Sequence, residues 1–294
     1  RIAQKRQRND YAKIQDVLMK NLRIIDQAVQ NKGQVIGLPT GFKQLDEKTS
    51  GLQPSDLIIV AARPGMGKTA FALNIAQQSA VKAGASVLIF SLEMSQEQLG
   101  QRLIAMQARV ESEKLKKGTL DLKDWDRINF ALNELNNTKI VIDDTPGISI
   151  MEMRNKCRRL KAEQGLDLIV VDYLQLMTFD GRADSRQQEI SALSRHLKLL
   201  AREMNCPVIV LSQLSRAPEL RQDKRPMLSD LRESGSIEQD ADIVMFLYRD
   251  DYYNENTEKP GVCEINIAKH RSGPTDRIDL TWVARYTKFS DKAL

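Results

Sequence analysis

The sequence predicts an α/β fold whose mainly parallel sheet is covered by helices on both faces. Short runs of aliphatic and β-branched residues alternate along the chain with longer stretches of helical periodicity. One such run, residues 57–60, leads directly into a glycine-containing turn and then a helical stretch from Thr69. Parallel strands need crossover connections, which are almost always right-handed and usually contain a helix, so this alternation favours a sheet with helices on both sides.

The predicted strands are short and apolar, as is typical of strands that are buried on both faces. They cover residues 57–60, 87–91, 140–142, 168–171, 208–211, 243–247, 262–268 and 278–283. The last two strands have no clear helix between them, so we expect them to form an antiparallel edge.

The predicted helices carry apolar residues at steps of three and four. The first helix, ending near Gln30, has one apolar stripe and otherwise charged or polar faces. Its stripe must pack either on its own domain or on a neighbouring copy, and the sequence leaves both open. The stripe consists of Ile14, Leu18, Leu22, Ile25 and Val29. Further helices are expected before the first strand, from Thr69, and over residues 95–109, 122–135, 150–160 and 190–204.

Composition describes an ordinary globular chain and excludes several kinds of site. Of the 294 residues, 41% are hydrophobic and 28% charged, and the net charge of +5 permits nucleic acid as a partner. The three cysteines are far apart and form no C-x-x-C pair, which argues against a disulfide framework and a zinc site. With only His196 and His270 available, histidine metal sites and catalytic triads are not expected.

Targeting signals are absent from the sequence. No apolar run approaches the length of a membrane span, and the basic start is not followed by a signal-type core. We therefore predict a cytoplasmic protein without a membrane partner. Because the chain begins with Arg1 rather than methionine, we also expect it to be a fragment that lacks an N-terminal region.

A phosphate-binding loop follows the first strand. Residues 62–69 match G-x-x-x-x-G-K-[ST] except that Ala62 replaces the first glycine. Glycines let the backbone N–H groups approach phosphate oxygens, and the following helix directs its positive dipole end at them. Lys68 adds a cation for the β and γ phosphates, and the Thr69 hydroxyl suits Mg²⁺. The pattern predicts nucleoside triphosphate binding.

Three later strands end in polar residues that suit nucleotide hydrolysis. Ligands of such sheets bind beyond the carboxyl ends of the strands. Glu93 follows the second strand and could orient and deprotonate the attacking water. Asp172 ends an apolar strand, the pattern of a Walker B acid that holds Mg²⁺. Gln213 could sense the γ phosphate. A solvated acid, an ordinary strand end and a strand cap are the respective alternatives.

Two cations near the chain end point to a shared pocket. Lys269 and Arg271 lie two residues apart, so they share one side of an extended strand. Since Lys68 already serves the phosphates of its own protomer, we expect this pair to reach a neighbour's nucleotide in trans. An exposed basic hairpin is the alternative.

Two long loops carry basic residues that suit phosphate contacts along nucleic acid. The first, residues 178–186, includes Arg182 and Arg186, and the second runs over residues 215–236. Gly235 can offer main-chain N–H groups to phosphates as well. Neither loop is rich in aromatic residues, so base stacking and sequence preference should be weak.

These motifs together resemble the DnaB family of bacterial and phage replicative helicases. The resemblance covers nearly the whole chain from Gly37 and includes a loop with Ala62 at the same position. It implies a RecA-like ATPase domain over residues 37–294, preceded by a linker region with an amphipathic helix over residues 1–36. The segments that carry it start at Pro39, Ala61, Ser91, Val171, Leu211, Leu231 and Lys269.

The resemblance also implies a function. It predicts a hexameric ring that encircles single-stranded DNA and moves 5′ to 3′ with ATP and Mg²⁺, joined through the linker helix and the ATP-site interfaces. Primase and a helicase loader are implied as partners of the full-length protein, which would work in the bacterial nucleoid or in phage-infected cytoplasm. A RecA-like recombinase or clock-type ATPase, and a nucleotide-gated scaffold for primase or loader, are the alternatives.

Site residues follow by the same resemblance. Glu93, Asp172, Gln213, Lys269 and Arg271 would be catalytic, and Thr69 with Asp172 would hold the metal. Nucleotide would contact Arg63, Pro64, Gly65, Met66, Gly67, Lys68, Thr69, Ala70 and Arg102. DNA would contact Arg182, Arg186, Arg232, Glu233, Ser234 and Gly235.

Overall fold

The computed structural model of the protein describes residues 12–30, 35–179, 181 and 183–292. Two compact units meet in sequence at Ile36 and Gly37. The first contains helix α1 (Ile14–Gln30), whose apolar stripe was predicted. All five stripe residues are more than half exposed. Five apolar side chains on one face of a helix leave it with an unburied surface.

The second unit is built on one sheet. Within the described residues the sheet has nine strands in the order β3-β2-β4-β5-β1-β6-β7-β8-β9. The strands are β1 (Leu57–Ala62), β2 (Ser86–Ser91), β3 (Lys139–Asp143), β4 (Leu168–Asp172), β5 (Val208–Gln213), β6 (Ile243–Tyr248), β7 (Val262–His270), β8 (Asp276–Val283) and β9 (Lys288–Asp291).

The pairing confirms a mainly parallel sheet with an antiparallel edge. The six neighbouring strands β3, β2, β4, β5, β1 and β6 pair in parallel. The remaining pairs, β6 with β7, β7 with β8 and β8 with β9, are antiparallel. β1 lies between β5 and β6, so the phosphate loop that follows it leaves the middle of the sheet. Strand β9 was not predicted, because four residues, of which only Phe289 is apolar, carry no clear strand pattern.

Helices cover both faces of the sheet and separate two hydrophobic cores. One core packs the apolar sides of α3 and α4, and the other those of α7 and α8. The helices of this unit are α2 (Lys43–Thr49), α3 (Lys68–Ala83), α4 (Gln96–Ala108), α5 (Ser112–Lys117), α6 (Leu122–Asn136), α7 (Ile150–Gln164), α8 (Arg186–Met204) and α9 (Gly235–Asp240). α5 was not predicted, because it has no buried residue and hence no apolar periodicity.

Local signals account for helix ends. Ser95 and Gln98 form the predicted capping box at the start of α4, in which each side chain pairs with the other residue's backbone. α3 begins at Lys68 and has Gly67 as its N-cap, which offers no side-chain cap, so the first N–H groups of the helix remain available to a ligand. No helix in the described part of the chain combines the length and apolar character needed to cross a bilayer.

Candidate nucleotide site

The phosphate loop connects the carboxyl end of β1 to the amino end of α3. Gly65 and Gly67 have φ angles of +80° and +96°, a region that favours glycine. A Cβ at Gly65 would lie 2.9 Å from the Tyr252 ring, and one at Gly67 would lie 3.0 Å from the Phe289 ring. Both glycines are therefore needed for backbone conformation and for close packing of the loop.

Two other loop positions have structural roles. Ala62 stands where the pattern has its first glycine, and it ends β1 in extended backbone, so no left-handed residue is needed there. Met66 is only 1% exposed and packs in the hydrophobic core. Its side chain anchors the loop, so only its backbone remains available to a phosphate.

Lys68, Thr69 and Asp172 meet at the base of the loop. The Lys68 ammonium donates to the Ala62 carbonyl at 3.3 Å. The Thr69 hydroxyl donates to a carboxylate oxygen of Asp172 at 2.7 Å. Since Thr69 opens α3 and Asp172 ends β4, two elements distant in sequence place these oxygens side by side.

The Thr69–Asp172 pair fits Mg²⁺. A hydroxyl and a carboxylate in hydrogen-bond contact are hard oxygen ligands, and Asp172 is only 4% exposed. No cluster of three or more His, Cys, Asp or Glu residues suited to a metal occurs in the described ranges. Mg²⁺ would accordingly complete its shell with water and substrate phosphate, as it usually does.

A cleft of about 280 Å³ opens beside these residues. Glu93 and Gln213, from the segments that end β2 and β5, lie on its wall with Arg102 of α4. The structure therefore brings together predicted residues from the ends of β1, β2, β4 and β5 and from helices α3 and α4. Its lining residues are Arg63, Pro64, Gly65, Gly67, Lys68, Thr69, Ala70, Glu93, Arg102, Gln213, Trp282 and Thr287.

Burial perturbs the charges in this cleft. It lowers the pKa of Lys68 and of Arg102, and in both cases the carboxylates of Asp172 and Glu93 oppose the shift. It raises the pKa of Asp172, against the hydrogen bond from Thr69. Desolvation disfavours the charged form of each of these groups. A bound polyanion would offset this for Lys68 and Arg102, and a divalent cation would offset it for Asp172.

Gln213 is held by a residue that the sequence interpretation missed. The Gln175 side chain accepts from the Gln213 backbone N–H at 3.3 Å and donates to the Ser212 hydroxyl at 3.0 Å. The Arg186 guanidinium donates to the Gln175 carbonyl at 2.6 Å. Gln175 thus connects the predicted γ-phosphate sensor to a predicted DNA contact. The available sequence signal for Gln175 was its polar amide side chain between two leucines, Leu174 and Leu176.

Arg63 lines the cleft but directs its guanidinium elsewhere. It donates to the Glu219 carboxylate at 2.9 Å and to the Leu214 carbonyl at 2.8 Å. These partners belong to the segment that follows β5, so Arg63 fastens the phosphate loop to that segment. Glu219 was also missed, because nothing in the sequence indicates a partner 156 residues away.

Two residues of the antiparallel edge complete the cleft wall. Trp282 of β8 and Thr287, just before β9, reach it because this hairpin returns beside α3, where the Phe289 N–H donates to Asn74 at 2.7 Å. The Arg249 guanidinium lies 5.3 Å from the Trp282 ring centre. No sequence motif marks either residue.

Lys269 and Arg271 lie at the opposite edge of the sheet. The Arg271 N–H donates to the Asp242 carbonyl, and the Asp242 N–H donates to the carbonyl of Leu57, the first residue of β1. The phosphate loop follows the last residue of β1, and five residue steps separate the two edges by about 17 Å. The structure does not bring these cations to the cleft of their own protomer.

The predicted DNA contacts are described in part. Arg182 lies outside the described residues, and Arg186 starts α8, where its guanidinium also pairs with Glu189. For Arg232 to Gly235 only the backbone is described: a 3₁₀ helix (Leu228–Ser234) leads into α9.

Two arginines of the second loop have carboxylate partners. Arg221 makes two hydrogen bonds to Asp230, at 2.9 and 2.7 Å. Arg225 likewise contacts Glu264 with two nitrogens, at 2.7 and 2.9 Å. Paired, two-point contacts of this kind fix the path of the loop. The predicted long loop is therefore an ordered segment rather than an open coil.

Comparison with known proteins gives one consistent family. The family model of the DnaB-like helicase C-terminal domain matches residues 37–291. The chain is 54% identical to the replicative DNA helicase DnaC of Bacillus subtilis and 53% identical to the replicative DNA helicase DnaB of Geobacillus stearothermophilus. In both cases the match covers 98% of this chain but only 64% of the relative.

Solved structures agree. One, an isolated ATPase domain, superimposes with a TM-score of 0.92 at 41% identity, covering 97% of this chain and all of that one. The second is a DnaB-like replicative helicase whose interactions with primase were described with its structure. It superimposes with a TM-score of 0.88 at 41% identity, and the match covers 97% of this chain and 68% of that one. At this coverage the likeness in fold extends over the whole sheet and the segments around it.

Proposed function

The chain belongs to the family of DnaB-like helicase C-terminal domains, and from this premise we propose that it is the ATP-driven motor of a replicative DNA helicase. It would move 5′ to 3′ on single-stranded DNA and unwind the duplex at the replication fork. The chain spans about two thirds of its curated relatives, so the activity proposed for the whole protein includes parts beyond these residues.

One observation carries this proposal: the groups predicted to be catalytic are split between two edges of the sheet. The phosphate loop, Glu93 and Asp172 lie at the carboxyl edge, whereas Lys269 and Arg271 lie at the amino edge. Joining the carboxyl edge of one protomer to the amino edge of the next would complete each pocket. Repeated head-to-tail, such contacts would form the proposed ring when the rotation between neighbouring protomers closes.

Within one pocket, the loop and its helix would bind the triphosphate. The free N–H groups at the start of α3 and the ammonium of Lys68 would contact the β and γ phosphates. Thr69 and Asp172 would hold Mg²⁺, which would supply charge neutralisation to the triphosphate. Arg102, on the cleft wall, would add a second positive charge toward the nucleotide.

Hydrolysis needs an oriented water and a signal that it has occurred. Glu93 projects into the cleft and would accept a proton from the attacking water. Gln213 would hydrogen-bond the γ phosphate and lose that partner after cleavage. Because Gln175 ties the Gln213 backbone to the region of Arg186, this change would reach the DNA-contacting segments.

Single-stranded DNA would pass the segments that follow β4 and β5. Backbone N–H groups near Gly235 and the cations Arg182, Arg186 and Arg232 would contact its phosphates, with Glu233 and Ser234 shaping the same loop. Such contacts read the backbone and not the bases, so sequence preference would be weak.

Assembly would use α1 as well as the pocket interfaces. Its exposed stripe would dock on the neighbouring protomer and so help to hold a homo-hexamer. In this division residues 1–36 are the linker and residues 37–294 the motor. Primase and a helicase loader would bind the longer protein, in line with the primase interactions described for one structural relative.

Replacing Leu22 with Asp should weaken the ring. Leu22 is 57% exposed within the protomer, and burying a leucine at an interface contributes about 1.5–3 kcal/mol. We expect association weakened at least about tenfold per interface, measured by sedimentation with nucleotide bound. Arg23→Asp, on the polar face, is the matched control and should assemble normally. Intact rings of the Leu22 variant would rule out stripe docking.

The direct test of function is unwinding of a forked duplex. With ATP and Mg²⁺ the protein should displace the strand only when the fork has a 5′ single-stranded tail. Glu93→Gln should bind nucleotide and form rings yet unwind at least about 10²-fold more slowly, since a general base contributes about that much.

The same assay separates the alternatives. Strand exchange without unwinding would favour a recombinase. Failure to hydrolyse ATP even with DNA present would favour a nucleotide-gated scaffold. The placement of Glu93, Asp172 and Gln213 around one cleft supports an active ATPase over that scaffold.

A further inference from the structure

Asp242 is the centre of a polar cluster at the amino edge of the sheet. It precedes β6 and is only 7% exposed. One carboxylate oxygen accepts from the Leu57 N–H at 2.7 Å and from the Lys198 ammonium, and the other accepts from Arg271 at 3.4 Å. Lys198 is fixed in turn by the Ser55 carbonyl at 2.8 Å. The carboxylate thus joins β1, α8 and the end of β7.

Backbone carbonyls just before Asp242 hold the side chains of the cation pair, Lys269 and Arg271. The Lys269 ammonium donates to the Glu238 carbonyl at 2.5 Å and to the Gln239 carbonyl at 3.5 Å. The Arg271 guanidinium also donates to the Gln239 carbonyl. Both cations therefore depend on one short segment, the last turn of α9 and Asp242.

Electrostatics explains why a carboxylate is needed there. Burial and the charge of Arg271 both lower the pKa of Lys269, and nearby acids, Asp242 among them, oppose this. A second carboxyl group, Asp56, has its pKa raised to about 6 by burial and by Asp242. Asp242 is the carboxylate that hydrogen-bonds Arg271. Removing its charge would leave the two neighbouring cations, Lys269 and Arg271, with less negative charge to offset their repulsion.

The pair can still reach outward while it is held. The Arg271 side chain is 48% exposed, and a guanidinium has five N–H donors, of which the contacts to Asp242 and Gln239 occupy only part. The remaining donors can contact a phosphate presented from outside the protomer. These contacts hold one hydrogen on each of two guanidinium nitrogens, which limits the orientations that Arg271 must search.

We propose that Asp242 is the positioning residue of the trans-acting cations, fixing Arg271 and its segment so that they enter the nucleotide cleft of the adjacent protomer. This inference rests on the proposed function, because it needs a shared pocket. Asp242 would not touch the nucleotide. Its effect would appear in the neighbour's pocket and not in its own.

Asp242→Asn tests this position with a small change, since the amide oxygen can still accept from Leu57. We expect DNA-stimulated kcat to fall about 10- to 100-fold, the usual effect of misplacing a catalytic group by about 1 Å. Nucleotide affinity should stay close to the parent value, whereas the melting temperature should fall, because Lys198 loses its buried carboxylate partner. Asp167→Asn is the matched control, because that carboxylate likewise accepts from a backbone N–H, that of Ser86 at 2.8 Å, and lies before β4 rather than beside the cation pair. It should retain full activity.

Mixed rings separate positioning from a structural defect. A Lys68→Ala subunit has a dead pocket but intact cations, so mixing it with Asp242→Asn should restore turnover in the Asp242→Asn pockets. Mixing Asp242→Asn with Arg271→Ala should restore nothing. If Asp242→Asn does not fold, Asp242→Glu, which keeps the charge but displaces it, takes its place in the same mixtures.

The companion mixture of Lys68→Ala with Arg271→Ala tests the shared pocket itself. If turnover recovers in this mixture but not in the mixture of Lys68→Ala with Asp242→Asn, the positioning role is overturned and the proposed function stands. No recovery in either mixture would overturn the shared pocket and, with it, the role of Asp242.

Discussion

Replacing Lys68 with Ala should abolish ATP hydrolysis. The ammonium is the cation of the phosphate loop and lies at the base of the cleft, where burial already lowers its pKa. Removing one such group from a desolvated site costs about 10²–10³-fold in kcat, and phosphate affinity should fall too. Steady-state ATPase assays with and without single-stranded DNA, beside binding of a fluorescent nucleotide, would measure both losses.

Lys82→Ala is the matched control for this variant. Lys82 belongs to the same helix, α3, but lies in its last turn and is exposed, far along the helix from the phosphate loop. Its removal should leave hydrolysis, binding and melting temperature unchanged. Normal ATPase activity in the Lys68 variant would refute the assignment of residues 62–69 as a phosphate loop.

The parts of this site that the sequence predicted are those with a local signal. The phosphate loop needs two glycines at positive φ, and Gly65 and Gly67 lie within three residues of the lysine that identifies the motif. Asp172 follows a run of four aliphatic residues that marks the strand. In both cases the residues that decide the chemistry are neighbours in sequence, so the pattern contains the geometry.

The remaining parts depend on contacts between distant segments. Trp282 and Thr287 reach the cleft only because the β8–β9 hairpin folds back beside α3. Arg63 matched a nucleotide-binding position, yet its guanidinium bonds to Glu219 and Leu214. Spacing along the chain cannot express such pairings. They emerge only when strand order brings the segments together.

The position of the cation pair shows both what local spacing predicts and what only distant contacts determine. Two residues of separation predicted that Lys269 and Arg271 act together, and both donate to the last turn of α9. The sequence could not show that Asp242 would secure Arg271, because Asp242 is 29 residues away. The register of β6 with β7 places them side by side, at the edge opposite the phosphate loop.

Replacing Arg271 with Ala should leave the fold and nucleotide binding intact while removing DNA-stimulated hydrolysis. The side chain is half exposed at the amino edge, about 17 Å along β1 from the phosphate loop of its own protomer. Its loss therefore removes nothing from that pocket's ground-state binding. An arginine supplied in trans contributes about 10³–10⁵-fold in rate, so turnover should fall by that order.

The measurement combines ATPase rates on single-stranded DNA with nucleotide affinity and melting temperature of the same preparation. Arg277→Ala is the control, because this arginine of β8 is 50% exposed and pairs at 3.5 Å with Glu264, a carboxylate that Arg225 already holds at 2.7 and 2.9 Å. It should hydrolyse ATP normally. Full turnover by the Arg271 variant, or by protomers kept apart, would show that each cleft is complete on its own and that no neighbour contributes to catalysis.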